Sequence, residues 1–315
     1  MDQGHPESSC HLLDKIWADI RSAKTGWLWL TIICYMLSNI SRAYRWRLLI
    51  GGEFGQTKFS NIFWSIMVGY FTNLAVPRLG EFVKAGTLAK YEKMNTASIL
   101  GTVVTERILD VLSLLIIFGL GLLLASGQIL GYLNQHAQLP QISLPLLTGI
   151  TFSALILLGI LFFILIRYKN HSLIIHLKNK IRFFIRGILS IRHVKNMPLL
   201  IFHSVSIWFM YYLMTYFPFF SFEATSSLGP VAALLVFIFG GLGMVLPAPG
   251  GMGTFHAMVI AGLSIYGISG PDAFSFAMII FLLVNIGVNL VMGVLAFILL
   301  PLINKNYQPS RTLKP

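Results

Sequence analysis

Uninterrupted runs of apolar residues constrain the fold of this chain more than any other feature. Apolar residues make up 56% of its 315 residues and charged residues 11%, whereas soluble domains carry roughly a quarter of charged residues. In a bilayer, only helices and closed barrels satisfy their own backbone polar groups. The runs are continuous instead of alternating, which excludes a porin-type barrel. The sequence therefore predicts an all-α, polytopic helical bundle in a membrane.

Eight apolar segments follow one another along the chain. Their approximate bounds are 26–41, 61–76, 97–126, 142–166, 197–221, 230–247, 254–268 and 273–300. The stretch 167–196 has many Lys and Arg and no acid, whereas 127–141 has neither Lys nor Arg. If all eight segments cross, the positive-inside rule places both termini in the cytoplasm. If the two short segments re-enter instead, Lys84, Lys90 and Lys93 lie outside, which the charges disfavour.

The same reading predicts how the chain is divided. Its parts are a cytoplasmic tail 1–25, a transmembrane domain 26–300 with halves at about 26–167 and 197–300 joined by a basic amphipathic segment 168–196, and a cytoplasmic tail 301–315. The net charge of +12 is explained by these cytoplasmic loops, so no nucleic-acid partner is expected. Cys10 and Cys34 suggest neither a disulfide framework nor a metal site. The polar N-terminus is not a cleavable signal, so a cell (inner) membrane location is expected.

Two of the apolar segments are short and end at a Pro/Gly break. The segment 61–76 is about 16 residues long, below the roughly 20 that cross a bilayer. Pro77 and Gly80 then interrupt the helix. Three ionisable residues lie at or just after this break: Arg78, Glu81 and Lys84. Segment 230–247 ends in a similar break about 50 residues after the start of the second half. Matched broken segments of this kind indicate a transporter-type binding site.

Ionisable residues also occur inside longer segments. Glu106, Arg107 and Asp110 lie at helical spacing in the third segment, where buried charges need partners. They predict either an ion cluster that locks helix packing or a lining of the same cavity as Arg78 and Glu81. Arg42 and Arg45 lie on one face of a helix. They are interpreted as part of a belt of residues at the membrane–water interface that anchors the helix to lipid headgroups. The alternative is that this pair holds a lipid phosphate.

The second break contains no charged side chain, but its glycines have backbone amides that could bind an anion. Gly250, Gly251 and Gly253 precede the seventh segment, and free amides at a helix start suit an anion such as phosphate. A tight turn between closely packed helices is the alternative. His256 is either a proton carrier in the cavity or a hydrogen-bonded packing residue. Asn285 and Asn289, on one face of the last segment, predict interhelical hydrogen bonds.

Three motifs in order resemble the lysylphosphatidylglycerol synthase transmembrane-region family. They are Pro77-Arg-Leu-Gly-Glu81 with Lys84, Glu106-Arg107 with Asp110, and Pro249-Gly-Gly-Met-Gly253. The resemblance covers about 25–300 and implies a flippase-like, polytopic α-helical membrane bundle. In family members that are fused to a synthase, this region is linked to moving aminoacylated phosphatidylglycerol between leaflets. Many members have Glu where this chain has His256. At 315 residues the chain leaves no room for a synthase domain, so a stand-alone, bacterial-type member without enzymatic activity is expected.

Three functions are consistent with these features. The first is translocation or binding of a phospholipid or lipid-linked headgroup, with Arg78 and the Gly-rich amides on phosphate and Glu81, Glu106 and Asp110 balancing charge. The second is secondary transport of a small solute or ion. The third is a non-catalytic membrane partner of a lipid-modifying or glycosyl-transferring enzyme. The sequence contains no nucleotide-binding loop, hydrolase motif or metal motif, so no cofactor is expected, and the oligomeric state is unknown.

Overall fold

The computed structural model describes residues 6–53, 56–128, 188–246 and 251–307, with residues 182, 185 and 248. These residues are helical, and no strand occurs among them. The helices are α1 Pro6–Ser22, α2 Thr25–Glu53, α3 Phe59–Ala75, α4 Leu79–Glu92, α5 Thr96–Leu124, α6 Met197–Phe219, α7 Pro230–Val245, α8 Thr254–Ser264, α9 Gly270–Ile280 and α10 Asn289–Ile303, with 3₁₀ turns at Leu189–His193 and Glu223–Thr225. The predicted all-α membrane bundle is confirmed.

A π-helical segment, Phe281–Val288, joins α9 and α10 into one rod. This rod, Gly270–Ile303, and α6 are the two helices in the described ranges that are long and apolar enough to cross a membrane. Two further helices, α2 and α5, have 29 residues each, which gives a length of about 44 Å. Their length suffices for a crossing, but both carry several ionisable residues.

Several predicted boundaries are accurate because local signals set them. Asn95 caps α5, with its side-chain oxygen accepting from the backbone amides of Ala97 and Ser98. Pro198 and Pro230 stand in the first turns of α6 and α7, where proline is tolerated. The end of the first segment near residue 41 is wrong, since α2 continues to Glu53. Arg42 and Arg45, which follow, are buried and paired, so the helix does not have to leave the membrane to solvate them.

Contacts between distant parts of the chain define the two ends of the bundle. At the α1 end, Lys15 pairs with Asp272 at 2.8 Å, and the amide of Lys24 donates to the carbonyl of Ser221 at 3.1 Å. At the Tyr307 end, the Tyr307 hydroxyl donates to Glu92 at 2.9 Å. Asn61, Asn304 and Lys58 complete that network, with Lys58 Nζ donating to the carbonyl of Ile303 at 3.1 Å.

Hairpin 1 consists of α3, α4 and the turn Val76–Arg78. Its two arms pack against each other, because Gly69 and Gly80 let the backbones approach. The amide of Gly80 donates to the side chain of Asn73 at 2.8 Å and so closes the turn. Both outer ends of the hairpin lie at the Tyr307 end, where Asn61 Nδ2 donates to Glu92 at 2.7 Å. The chain therefore enters and leaves at the same end of the bundle.

Hairpin 2 consists of α7 and α8 and has the opposite direction. Pro230 at its start accepts from the Tyr212 hydroxyl at 3.1 Å, and Leu263 near its end packs with Phe219 and Phe222. These contacts lie at the α1 end. Where α7 and α8 approach each other, Gly243 faces Thr254, and a side chain at that glycine would stand 2.7 Å from the Thr254 carbonyl.

The two halves therefore have inverted topology. Arms of α3, α4, α7 and α8 contain 17, 14, 16 and 11 residues, or about 17–26 Å, against a hydrocarbon core of about 30 Å. The hairpins are too short to cross twice, and each returns to its own end. Inverted halves with such interrupted helices are typical of secondary transporters.

This geometry bears on the predicted orientation of the termini. Lys24 lies at the α1 end and Asn304 at the Tyr307 end, so the described chain ends are on opposite sides of the bundle. The prediction of two cytoplasmic termini counted each short segment as a crossing, whereas a hairpin that returns to its own end changes no side. The side of the membrane that each terminus faces stays a prediction. The fourth apolar segment, 142–166, the loop 127–141 beyond residue 128 and most of 168–196 lie outside the described residues.

The predicted polar tail 1–25 contains a folded helix. α1 packs against α9 and is amphipathic. Trp17 is 57% exposed and Ile20 41% exposed on its outer surface. An exposed tryptophan at the end of a membrane bundle is typical of the lipid–water interface.

Candidate functional site

A buried ionic cluster joins α2, α4 and α5 in the middle of the bundle, and Glu106 is its centre. The side chain of Glu106 has no solvent exposure. Its Oε1 accepts from Arg42 at 2.8 Å, and its Oε2 accepts from Lys84 at 2.7 Å. Arg45 and Arg107 approach the same carboxylate, each at 3.4 Å. Four cations on one buried carboxylate supply the charge partners that an ionised group at this depth needs.

Asp110 lies one helical turn further along α5 and receives three arginines. Arg45 bonds to Oδ1 at 2.6 Å, while Arg107 and Arg42 bond to Oδ2 at 3.0 and 3.1 Å. A second contact of Arg42, from Nη2 to the Tyr211 hydroxyl at 3.1 Å, adds α6 to the cluster. The predicted pairing of Arg107 with Asp110 is present.

The cluster opens on one side. Arg107 is 42% exposed and Glu81 28%, whereas Lys84, Arg42 and Arg45 are at most 6% exposed. Glu81 is also the most weakly held acid, since its nearest cations, Lys84 and Arg107, are both 3.5 Å away. A ligand that approached the cluster would therefore meet Arg107 and Glu81 first.

Hydrogen bonds and aromatic contacts fix the buried cations in place. Trp46 is fully buried, its indole N–H donates to Thr102 at 2.9 Å, and Lys84 Nζ lies 4.8 Å from its ring centre. Lys84 and, through Tyr211, Arg42 are thus held in one geometry by more than their charge. Such prepared groups recognise a ligand at low cost in side-chain entropy.

The tips of the two hairpins meet beside this cluster. Arg78 stands in the turn of hairpin 1, and its Nη2 donates to the carbonyl of Val245, the last residue of α7, at 3.1 Å. Its backbone has φ 62°, a left-handed conformation that costs a non-glycine residue roughly 1 kcal/mol. Lys93, at the other end of α4, has a similar backbone with φ 52°, so the bond to Val245, and not the strain, makes Arg78 a candidate site residue.

The tip of hairpin 2 is formed by glycines and one histidine. Gly251 and Gly253 have φ 79° and 83°, conformations that favour glycine. His256 is buried, and its Nδ1 accepts from the amide of Gly253 at 3.3 Å. Its Nε2 has no partner among the described residues. His256 is thus at least a packing and capping residue of α8. Gly250 lies outside the described residues.

A second polar contact crosses the bundle near its centre. The Tyr35 hydroxyl donates to the side chain of Asn289, just after the π-helical segment, and Asn289 Nδ2 donates to the carbonyl of Asn285 at 3.1 Å. Tyr35 and Tyr70 lie with their ring centres 6.5 Å apart. The predicted interhelical hydrogen bond is therefore present for Asn289. Its position beside a π-helical stretch matches the tendency of such stretches to occur at functional sites.

The structure brings together part of the predicted site and separates the rest. Five predicted residues form the cluster: Glu81, Lys84, Glu106, Arg107 and Asp110. Four described ones belong to the hairpin tips: Arg78, Gly251, Gly253 and His256. No group of three metal-ligating side chains free for a metal ion occurs in the described part of the chain.

Sequence reasoning misplaced Arg42 and Arg45. They are 4% and 0% exposed, so the interpretation as an interface belt was wrong. Their spacing of three on α2 matched the spacing of four between Glu106 and Asp110, and this complementarity was the available signal. Trp46, directly after Arg45, was interpreted as part of the same interface belt. Tyr211 was missed because a tyrosine in an apolar segment has no distinctive pattern.

Comparison with known proteins places this architecture in a family. The sequence model described as "Lysylphosphatidylglycerol synthase TM region" matches residues 12–299. A curated relative, a UPF0104 membrane protein of Methanocaldococcus jannaschii, is 31% identical over 101 residues. That alignment covers 31% of this chain and 30% of the relative. No solved structure matches. The chain is an integral membrane protein and belongs to the lysylphosphatidylglycerol synthase transmembrane-region family.

Proposed function

We propose that the protein is a flippase-like translocator of a phospholipid or lipid-linked headgroup. The observation that carries the proposal is the bond between Arg78 of hairpin 1 and Val245 of hairpin 2. Two hairpins that enter from opposite ends and meet at their tips leave a polar meeting point in the middle of a bilayer. A headgroup needs such a point to pass between leaflets.

The ionic cluster supplies the polar surface next to that meeting point. Glu81 is three residues from Arg78 and belongs to the cluster, so a headgroup at the tips would contact both. Buried, paired charges cost less free energy to keep in a membrane than unpaired ones. Their presence on the path of a charged headgroup replaces part of the water that the headgroup loses on entry.

The charges at the two ends suggest an orientation. Described basic residues at the Tyr307 end are Lys58, Lys90, Lys93, Arg192, Lys195 and Lys305, against the acids Glu53 and Glu92. The α1 end has Lys15, Arg21 and Lys24 against Asp14, Asp19, Glu223 and Asp272. By the positive-inside rule, the Tyr307 end is cytoplasmic in this proposal, and the membrane is the bacterial inner (cell) membrane. Translocation needs no enzymatic step, so the proposal is of a protein without enzyme activity.

The test is lipid movement in liposomes that contain the purified protein. Fluorescent lipids of several headgroups would be followed from one leaflet to the other by quenching of the outer leaflet. We expect movement above that of empty vesicles for at least one headgroup. Movement no faster than in empty vesicles, across all headgroups, would overturn the proposal.

Arg78→Gly is the most informative variant in this assay. Glycine accepts the left-handed backbone of residue 78, so the free energy of unfolding should change by no more than about 1 kcal/mol. The guanidinium is lost, and translocation should fall about tenfold. The control is Lys93→Gly, because Lys93 is exposed, has a similar left-handed backbone with φ 52°, and lies at the base of hairpin 1, at the opposite end of α4; its translocation rate should stay near that of the wild type.

The same geometry supports a second candidate, transport of a small solute or ion. Inverted hairpins with tips at mid-membrane are a common arrangement for such transporters. Solute uptake by the same liposomes, without lipid movement, would favour this candidate. A role as a membrane partner of a lipid-modifying enzyme would be indicated by a protein that co-purifies and loses activity when this chain is deleted.

A further inference from the structure

The cluster at the hairpin tips contains more positive than negative charge. Its cations are Arg42, Arg45, Lys84 and Arg107, and its acids are Glu81, Glu106 and Asp110. If all seven are ionised, one positive charge has no counterpart in the cluster. An uncompensated charge is expensive at this depth, so a bound anion would stabilise the arrangement.

The cluster also contains more buried hydrogen-bond donors than acceptors that lack a hydrogen bond. The Nε atoms of Arg42, Arg45 and Arg107 and the Nη1 of Arg45 are buried donors without a partner among the described residues. The one buried acceptor in the cluster without a hydrogen bond is Glu81 Oε2, which forms only a loose ion pair with Lys84 Nζ at 3.5 Å. Arg42 and Arg45 are themselves at least nine-tenths buried. Buried N–H groups are rarely left without an acceptor, so the missing partner is rich in acceptors.

The route to these donors is through Arg107. Its side chain is 42% exposed, while Arg42 and Arg45 behind it are almost completely covered. All three guanidinium groups touch Asp110, at 2.6 to 3.1 Å. A second anion that reached Arg107 would therefore lie within a short distance of Arg42.

We infer that the cluster binds a phosphate oxyanion, with Arg107 as its first contact, Arg42 as its second and Arg45 holding the two carboxylates in place. Guanidinium groups bind phosphate oxygens in pairs, which distinguishes them from lysine in such sites. The inference rests on the proposed function and deepens it, because it assigns the phosphodiester of a headgroup to the arginines of the cluster. In this assignment Arg78 and the glycines of hairpin 2 shape the passage.

The test measures binding to the purified full-length protein in an uncharged detergent at constant ionic strength. The probes are dihexanoyl-phosphatidylglycerol, dihexanoylglycerol as its uncharged match, and inorganic phosphate. A ligand that binds the folded state raises the melting temperature in proportion to its affinity. We expect the phosphatidylglycerol to raise it and dihexanoylglycerol to leave it unchanged. If inorganic phosphate binds as tightly as the phosphatidylglycerol, the natural ligand of the site is a free phosphate. If inorganic phosphate binds more weakly, the natural ligand is the phosphate group of a lipid.

Two variants of the exposed residues should shift the affinity in opposite directions. Arg107→Gln removes the first contact and the surplus charge, and the dissociation constant should rise at least tenfold. Glu81→Gln removes a repelling carboxylate, and the dissociation constant should fall about threefold. Arg21→Gln, at an exposed arginine of α1 at the α1 end of the bundle, should bind as the wild type does. A purely structural role of the cluster would weaken binding in both cluster variants.

Three results would overturn the inference: equal binding of the uncharged lipid, no effect of Arg107→Gln, or weaker binding by Glu81→Gln. The outcome is separable from that of the proposed function. Charge-dependent binding without lipid movement in liposomes overturns the proposed function alone. Lipid movement with an affinity that ignores Arg107 overturns this inference alone.

Discussion

Hairpin 1 and hairpin 2 share a backbone plan but differ in chemistry. Each consists of two short helices that touch through glycines, and each returns to the end at which it entered. Hairpin 1 carries Arg78, Glu81 and Lys84 near its tip and is bonded to α5 through Glu106. Hairpin 2 offers only the buried His256 in its described part. The two hairpins therefore have the same backbone arrangement in opposite directions, but the charged residues near the tips belong to the first half of the chain.

The bases of the two hairpins differ as well. Hairpin 1 is anchored by Glu92, which is 2% exposed and accepts from Lys58, Asn61 and Tyr307. The α1 end, from which hairpin 2 extends, is held by the partly exposed pair of Lys15 and Asp272. Buried bonds to charged groups contribute more to stability than exposed ion pairs.

The largest expected effect comes from removing the charge that ties hairpin 1 to α5. Glu106→Gln leaves Lys84 and three arginines with one fewer buried counter-charge, and it should lower the free energy of unfolding by about 3–5 kcal/mol. Thermal unfolding in detergent measures the loss. The control Glu223→Gln, at an exposed acid, should stay within about 0.5 kcal/mol of the wild type. Equal stabilities of the two variants would show that the cluster does not lock the bundle.

A methyl group at the closest contact of hairpin 1 should have the next largest effect. In Gly80→Ala the new Cβ would overlap the carbonyl oxygen of Gly69 and stand 2.7 Å from Asn73 Oδ1. The arms would have to separate, at a cost of about 3 kcal/mol. Gly86→Ala lies in the same helix with no atom within 4 Å of the new Cβ, and it should be stabilising by about 0.5–1 kcal/mol. Similar melting temperatures for both variants would contradict the close packing of α3 and α4.

The anchor of hairpin 1 predicts a smaller effect that depends on pH. Tyr307→Phe removes the hydroxyl that bonds to Glu92 and should cost about 1–2 kcal/mol. Burial and the bond to Glu92 raise the pKa of Tyr307 from 10.0 to about 12. The contribution is therefore complete below pH 10 and is lost as the pH rises towards about 12.

Unfolding of the wild type and of Tyr307→Phe, followed from neutral pH to above pH 10, measures this contribution. The difference in unfolding free energy should shrink over the alkaline range. A control variant, Tyr44→Phe, alters a hydroxyl on a 40% exposed side chain and should show no such trend. A constant difference across the whole pH range would exclude the bond to Glu92 as the cause.

The smallest effect is expected at the α1 end. Lys15→Gln removes ion pairs to Asp272 and Asp19 at 2.8 and 3.0 Å, which should cost at most about 1 kcal/mol because they are partly exposed. Bonds first to Asp272 and then to Asp19 raise the pKa of Lys15 above 10.5, so the contribution is present below that pH and lost above it. Denaturation with and without about 1 M salt checks it, since salt should abolish the difference. A loss that salt does not change would show that the pair is not electrostatic.

Much of the architecture was readable because it depends on local signals. The bounds predicted for the short segments, 61–76 and 230–247, differ from α3 and α7 by two residues or fewer at each end. Prolines and glycines interrupt helices wherever they stand, so both breaks were visible. The spacing of Glu106, Arg107 and Asp110 likewise placed one half of the ionic cluster.

The rest depends on contacts between residues far apart in the chain. A break shows that a helix stops, but the return of α4 along α3 requires Gly69 and Gly80 to meet. For this reason the sequence count of crossings does not match the hairpins, which return to their own ends. Arg42 and Arg45 resemble interface residues until their acids, more than 60 positions later, are placed opposite them.

Hairpin 1 enters and leaves the bundle at one end, and both of its outer ends should therefore face the same side of the membrane. Cysteine accessibility tests this directly. In a chain with Cys10 and Cys34 replaced by serine, single cysteines at Lys58 and Lys93 would be labelled in sealed vesicles with a reagent that does not cross membranes. The account predicts that both positions are labelled from the same face, and that Gly229 and Ile265, which flank hairpin 2, are labelled from the opposite one. Labelling of Lys58 and Lys93 from opposite faces would mean that the short helix crosses the membrane and would contradict the account.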